Sequence, residues 1–191
     1  MPSSIVLGAI AAVLLFWAVG AYNRLMRLRA EAKTAFAGLE AELSKQVALV
    51  RECLPPPDAT QPAPLDDGTS FGAALHGAAA QFAASLAAAR TKPLEPERIA
   101  ALSSAQDVLV MAWERAERAD AHDLAGPRLP ESITSRRTQL SIQTHAAIDQ
   151  FDRAVGRYNE AIAQFPAVLL AWLFGFKPGR SVRAIAGAAP S

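Results

Sequence analysis

Residues 5–33 read IVLGAIAAVLLFWAVGAYNRLMRLRAEAK, and the fold turns on how this stretch is taken. Ile5 to Tyr22 carries no charge over roughly 18 positions, the lower limit for a helix that spans a bilayer. Leu14 lies in its middle, and Trp17 and Tyr22 lie toward one end, where amphipathic rings favour the membrane–water boundary. Arg24, Arg27, Arg29 and Lys33 follow at once, whereas the only positive group ahead of the apolar run is the chain amine. The positive-inside rule then puts the N-terminus outside and everything after residue 23 in the cytoplasm, as a single-pass protein. A competing reading is a cleaved signal peptide, because Ala18-Val19-Gly20-Ala21 offers small residues at suitable spacing. The missing basic segment before the run argues against it.

Nothing between Ile5 and Leu54 breaks a helix. Leu25, Leu28, Ala32, Phe36, Leu39, Leu43, Val47, Val50 and Leu54 advance by threes and fours, so the span is expected to continue as one rod. The 13 prolines fall between such segments and not inside them. Proline costs a helix interior about 3 kcal/mol, so they read as joints. After the joint LPPPDATQPAPLDDG, a second helix starts near Thr69 or Ser70 and carries Phe71, Leu75, Ala78, Phe82, Leu86 and Ala89. A third begins at Pro96, carries Ile99, Leu102, Leu109, Trp113 and Ala116, and fades near His122 before Gly126 and Pro127. A fourth follows Pro130 and Glu131, with a heptad-like, coiled-coil stripe at Ile148, Phe151, Val155, Tyr158, Ile162 and Phe165. The expected fold is all-α: a transmembrane helix running into an antiparallel four-helix bundle, with a short apolar segment at the end. Residues 1–22 form the anchor, 23–178 the bundle with its proline-rich joint at 55–68, and 179–191 a loose tail.

Residues 158–178, YNEAIAQFPAVLLAWLFGFKP, pose the functional question. The cytoplasmic part of the first helix and the whole fourth helix come to roughly 48 and 52 Å at 1.5 Å per residue. An up-down bundle therefore brings Phe165 back to the membrane level. The run that follows, with Phe165, Pro166, Leu169, Trp172, Phe174 and Phe176, is too short to span and has two readings. It lies in the lipid interface with Lys177, Arg180 and Arg183 toward headgroups, or Val168, Leu169, Leu170 and Leu173 fold back to cap the bundle; the two are not exclusive. Tyr158 and Asn159 are expected to form a polar clasp with Tyr22 and Asn23 across the first and fourth helices. Arg136, Arg137 and Thr144 interrupt the upper stripe of the fourth helix, so that end is expected to be looser or to face a partner.

Tyr158-Asn159, Ile162, Phe165-Pro166, Ala171 and Gly175-Phe176-Lys177-Pro178 resemble the C-terminal signature of the LemA family. The apolar span running into Tyr22-Asn23-Arg24-Leu25 and Leu28-Arg29 is similar to that family's opening. Together the two ends cover about half of the chain, while the proline-rich LVRECLPPPDATQPAPLDDG departs from the family pattern. The resemblance implies a bacterial, membrane-anchored helical protein, hence the inner membrane, and a role through partners; it implies no particular chemistry.

The residues agree on the last point. A net charge of +1 gives no reason to expect a nucleic-acid surface. The single Cys53 excludes an internal disulfide and a multi-cysteine zinc site. His76, His122 and His145 sit in different segments, and Asp120, His122 and Asp123 read as a solvated helix end and not as a metal site. The pairs Glu114/Glu117 and Asp149/Asp152 sit among arginines and read as surface ion pairing. No catalytic motif stands out and no cofactor is expected. The expected function is therefore a non-enzymatic adaptor or scaffold at the cytoplasmic face, presenting a surface to another envelope protein. The alternative is a self-assembling protein that senses or shapes the membrane through residues 165–178. Membrane lipid, an unknown membrane or envelope protein, and a second copy of the chain are the partners in view.

Overall fold

The computed structural model describes residues 2–53, 67–122, 131–165 and 167–183. The protein is all-α, with α1 (Pro2–Cys53), α2 (Asp67–Thr91), α3 (Pro96–His122), α4 (Glu131–Ala163) and α5 (Ala167–Phe174), and no strand among the described residues. Residues 54–66, 123–130, Pro166, residues 184–191 and the side chains of Ile5, Phe71, Asp120 and His122 lie outside the described residues. The last two positions of the proline-rich joint already belong to α2.

α1 is a single helix of 52 residues, about 78 Å long at 1.5 Å per residue. It is long and apolar enough near the N-terminus to cross a membrane, and none of that apolar window is buried in the bundle. A core helix of the same composition would be covered; Leu14 and Trp17 are exposed. Beyond Asn23 the apolar stripe turns inward, as its spacing requires.

α4 runs along α1, α2 runs along α3, and α2 also meets α1. Three contacts mark the antiparallel register of α1 and α4. Arg136 pairs with Glu52 at 2.7 Å, Gln46 donates to Thr144 Oγ1 at 2.9 Å, and Arg157 lies 3.6 Å from Glu31. All four long helices share one core that includes Phe36, Leu43, Phe82, Leu102, Leu109 and Phe151. Phe36 meets Phe151 edge-on, with centroids 5.5 Å apart. Burying such a side chain contributes about 1.5–3 kcal/mol. A second cluster closes the base of the bundle, where Leu25 and Leu28 pack with Tyr158, Ala161, Ile162, Ala167 and Ala171.

The joint between α2 and α3 follows from Pro93 and Arg98. Pro93 occupies the second position of a turn in which Glu95 N–H donates to Lys92 C=O at 3.1 Å. Arg98 reaches back to Ala88 C=O at 2.8 Å and Thr91 Oγ1 at 2.9 Å. A cation there satisfies a terminal carbonyl and suits the negative end of α2.

Two expectations change. The fourth-helix stripe is buried from Ile148 to Ile162, but Phe165 is 73% exposed, because the chain has left the helix after Ala163. Residues 179–183 are not a loose tail. Phe176 to Arg183 form a strap back along α4, tied where Val182 N–H and Arg183 N–H donate to the Asp152 carboxylate at 2.8 and 3.1 Å. Arg183 also pairs with Asp149 at 2.6 Å, which directs it to α4 and not to headgroups.

Candidate functional site

The last helical bond of the α4–α5 elbow runs from Val168 N–H to Gln164 C=O at 3.0 Å. α5 then lasts eight residues. It stops because Gly175 takes a left-handed φ of 67° and Phe176 N–H donates to Ala171 C=O at 2.9 Å, the closing bond of a glycine-capped helix. A side chain at residue 175 would be strained in that conformation.

α5 presents its small residues inward. Ala167 and Ala171, the latter 4% exposed, pack on the base, while Val168, Leu169, Trp172 and Leu173 face out. α5 does pack on the base, but through Ala167 and Ala171 with Leu170 half-buried, while Val168, Leu169 and Leu173 are left outside the contact. Trp172 is 84% exposed. Phe165 meets Trp17 in a tilted ring contact with centroids 5.6 Å apart, reaching beyond the expected level of Tyr22. Tyr22 meets Phe174 at 5.3 Å and Phe176 at 6.2 Å, and the Arg29 guanidinium lies 5.6 Å over the Phe176 ring. Lys177 is exposed beside them.

Tyr158 and Asn159 do form a clasp, but its partner is the strap and not α1. Asn159 donates Nδ2–H to Gly179 C=O and accepts from Gly179 N–H, both at 2.8 Å. Tyr158 donates to Lys177 C=O at 3.3 Å. A side-chain amide matches a backbone amide donor for acceptor, which explains the choice of asparagine. Asn23 is exposed, and Tyr22 is committed to the aromatic contacts. Burial pushes the Tyr158 hydroxyl pKa up, with Arg29 opposing it, so it stays a neutral donor.

A second surface lies at the far end. α3 and α4 approach each other little along their backbones, and between them runs a groove of about 600 Å³ floored by Leu49 and Leu109. Arg137 bridges it, donating to both Glu117 carboxylate oxygens at 2.6 Å with its guanidinium 5.6 Å from the Trp113 ring centre. Met111 on one lip is 54% exposed and Ile142 on the other 67%. Arg137 and Thr144 are two of the residues that interrupt the α4 stripe. The apolar lips give no sequence signal, since Ile142 and Met111 fall off the helical stripes.

Part of the groove's polar lining is engaged within the protein, Thr144 with Gln46 and His145 Nδ1 at 2.7 Å from Ser141 C=O, while Gln106 and Asp107 also line it. Cys53 is half-buried and burial pushes its thiol pKa up, away from the reactive thiolate. Among the described residues, no group of His, Cys, Asp and Glu comes together as a metal site. No known protein family, curated protein or solved structure matches the chain.

Proposed function

We propose that this chain is a membrane-anchored, non-enzymatic helical adaptor on the cytoplasmic face of a bacterial inner membrane. In this reading Ile5–Tyr22 crosses the bilayer, the bundle stands off its surface, and a segment of another envelope protein seats in the α3–α4 groove. The observation that carries it is the unclosed α3–α4 seam, a groove with exposed apolar lips. A groove of that kind suits an amphipathic helix better than a reaction. The likeness of both chain ends to the LemA family agrees with an anchored bundle.

The test is photo-cross-linking in intact membranes from a reactive residue at Met111 or Ile142. One recurrent protein product from Met111 that is lost in an Ile142→Asp variant, or from Ile142 that is lost in a Met111→Asp variant, with helicity kept in each, supports the adaptor. Products from these positions that contain only this chain, or none at all, overturn it.

A second reading, membrane sensing, has its own observation in the exposed apolar face of α5 beside Trp17 and Tyr22. Trp172 in such a helix lies among lipids at the interface. The two readings share the same membrane placement and differ in what the groove does.

A further inference from the structure

Between α1 and the α4–α5 elbow lies a cleft of about 340 Å³. Its α1 wall is built from Phe16, Trp17, Gly20 and Arg24, and the facing wall includes Gln164 and Phe165. On a helix rising 1.5 Å per residue, these α1 positions form a ladder about 12 Å tall, apolar at the bottom and cationic at the top. Gly20 sits in the middle with room to spare, since a Cβ added there meets no described atom within 4 Å. Glycine in a membrane helix commonly lets a neighbouring helix come close. Here the space beside it stays open.

We infer that this cleft is a binding site for one anionic phospholipid. The inference rests on the reading that α1 crosses the bilayer and α5 lies at its surface. If so, the ladder runs along the membrane normal in the order of a lipid molecule, with acyl chain beside Phe16, Trp17 and Phe165 and headgroup beside Arg24. Arg24 forms no ion pair with any described residue, and no carboxylate lines the cleft. The cleft is continuous with the uncovered face of the span, so a lipid enters sideways from the bilayer without the bundle opening. A guanidinium matches phosphate oxygens with two parallel donors, and Gln164 adds neutral hydrogen-bonding capacity.

The experiment uses the full chain, purified in mild detergent with an equal mixture of phosphatidylglycerol and phosphatidylcholine. Retained phospholipid is counted by native mass spectrometry. The unaltered chain is expected to keep phosphatidylglycerol in preference. Arg24→Gln lowers that preference about fivefold, the weight of one cation near a surface phosphate. Gly20→Leu fills the cleft and lowers retention of both lipids, while Gly8→Leu, equally open but away from the cleft, leaves retention unchanged. Circular dichroism confirms that each variant keeps its helicity.

Equal retention by the Gly20→Leu and unaltered chains, or no headgroup preference in the latter, overturns the site. Quenching of Trp172 by brominated phosphatidylcholine in a Trp17→Phe/Trp113→Phe background tests the membrane placement separately. Quenched Trp172 with unaltered retention in the variants removes the lipid site alone. Unquenched Trp172 removes the placement and the site with it.

Discussion

At the base, α1 and α4 meet through Leu25, Leu28, Tyr158 and Ile162, and the backbone of the strap closes on Asn159 and Asp152. At the far end, α3 and α4 are joined by side chains, Arg137 reaching Glu117 across a gap. Both ends expose apolar residues, but on different mechanical terms. Bonds to a backbone fix where a segment lies. A long cation spanning a groove can swing away at the cost of one partly exposed ion pair. The comparison teaches that the base holds its exposed face in one place, whereas the seam leaves room between its lips.

The largest effect is expected in the main core, which lies between the two ends. Phe151→Ala removes the edge contact with Phe36 and leaves a cavity at a fully buried position. The cost is about 3–5 kcal/mol, read by denaturant unfolding in detergent. A single transition that moves as a whole means the ends are coupled. Two separate transitions would break the comparison into two independent units.

Asn159→Leu comes next. It leaves Gly179 N–H and C=O without partners in a part-buried setting, for a loss of roughly 2–3 kcal/mol. Hydrogen exchange sharpens the point: the Gly179 and Val182 amides should lose protection while those in the middle of α1 and α4 keep theirs. Protection retained at Gly179 would mean that the ties through Tyr158, Asp149 and Asp152 hold the strap without Asn159. At the seam, Arg137→Gln is expected to cost only about 1 kcal/mol, the scale of one exposed ion pair and one cation–ring contact. Trp113 emission should shift to the red as its cover is lost. A loss as large as that of Asn159→Leu would mean that the seam is as fixed as the base.

The bundle was legible because its segments are free of proline and repeat their apolar residues every three or four positions, which only helices satisfy. The same pattern misplaced Phe165, since periodicity says nothing of where a helix stops when the next apolar residue also suits the stripe. The strap was not legible. Asp152 and Asn159 reach partners 30 and 20 residues away, and those partners are backbone groups that carry no residue identity. Asp152 therefore passed for a surface ion-pair residue, and Asn159 for a link to α1. Half of the seam was visible, because Arg137 and Thr144 are polar where the stripe should be apolar. Gly20 and Arg24 each have ordinary explanations in a membrane helix, and only the elbow opposite them makes the two a cleft.

The smallest expected effect probes the rim of the α1–α4 contact, where Arg136 pairs with Glu52 at the exposed surface. The hydrogen bond from Arg136, more than its charge alone, holds the Glu52 carboxyl below its ordinary pKa of 4.5. A carboxyl depressed in the folded state stabilises the fold above its unfolded pKa and ceases to do so as pH falls through the folded one. Thermal unfolding of the unaltered chain and of Glu52→Gln should therefore differ by a small, constant interval at neutral pH. The interval should close as the pH drops below the ordinary carboxylate range, and it should shrink in high salt, where exposed pairs are screened. An interval that survives acidification would mean that Glu52 acts through its stem and not its charge. The register of α1 on α4 would then rest, at that level, on packing alone.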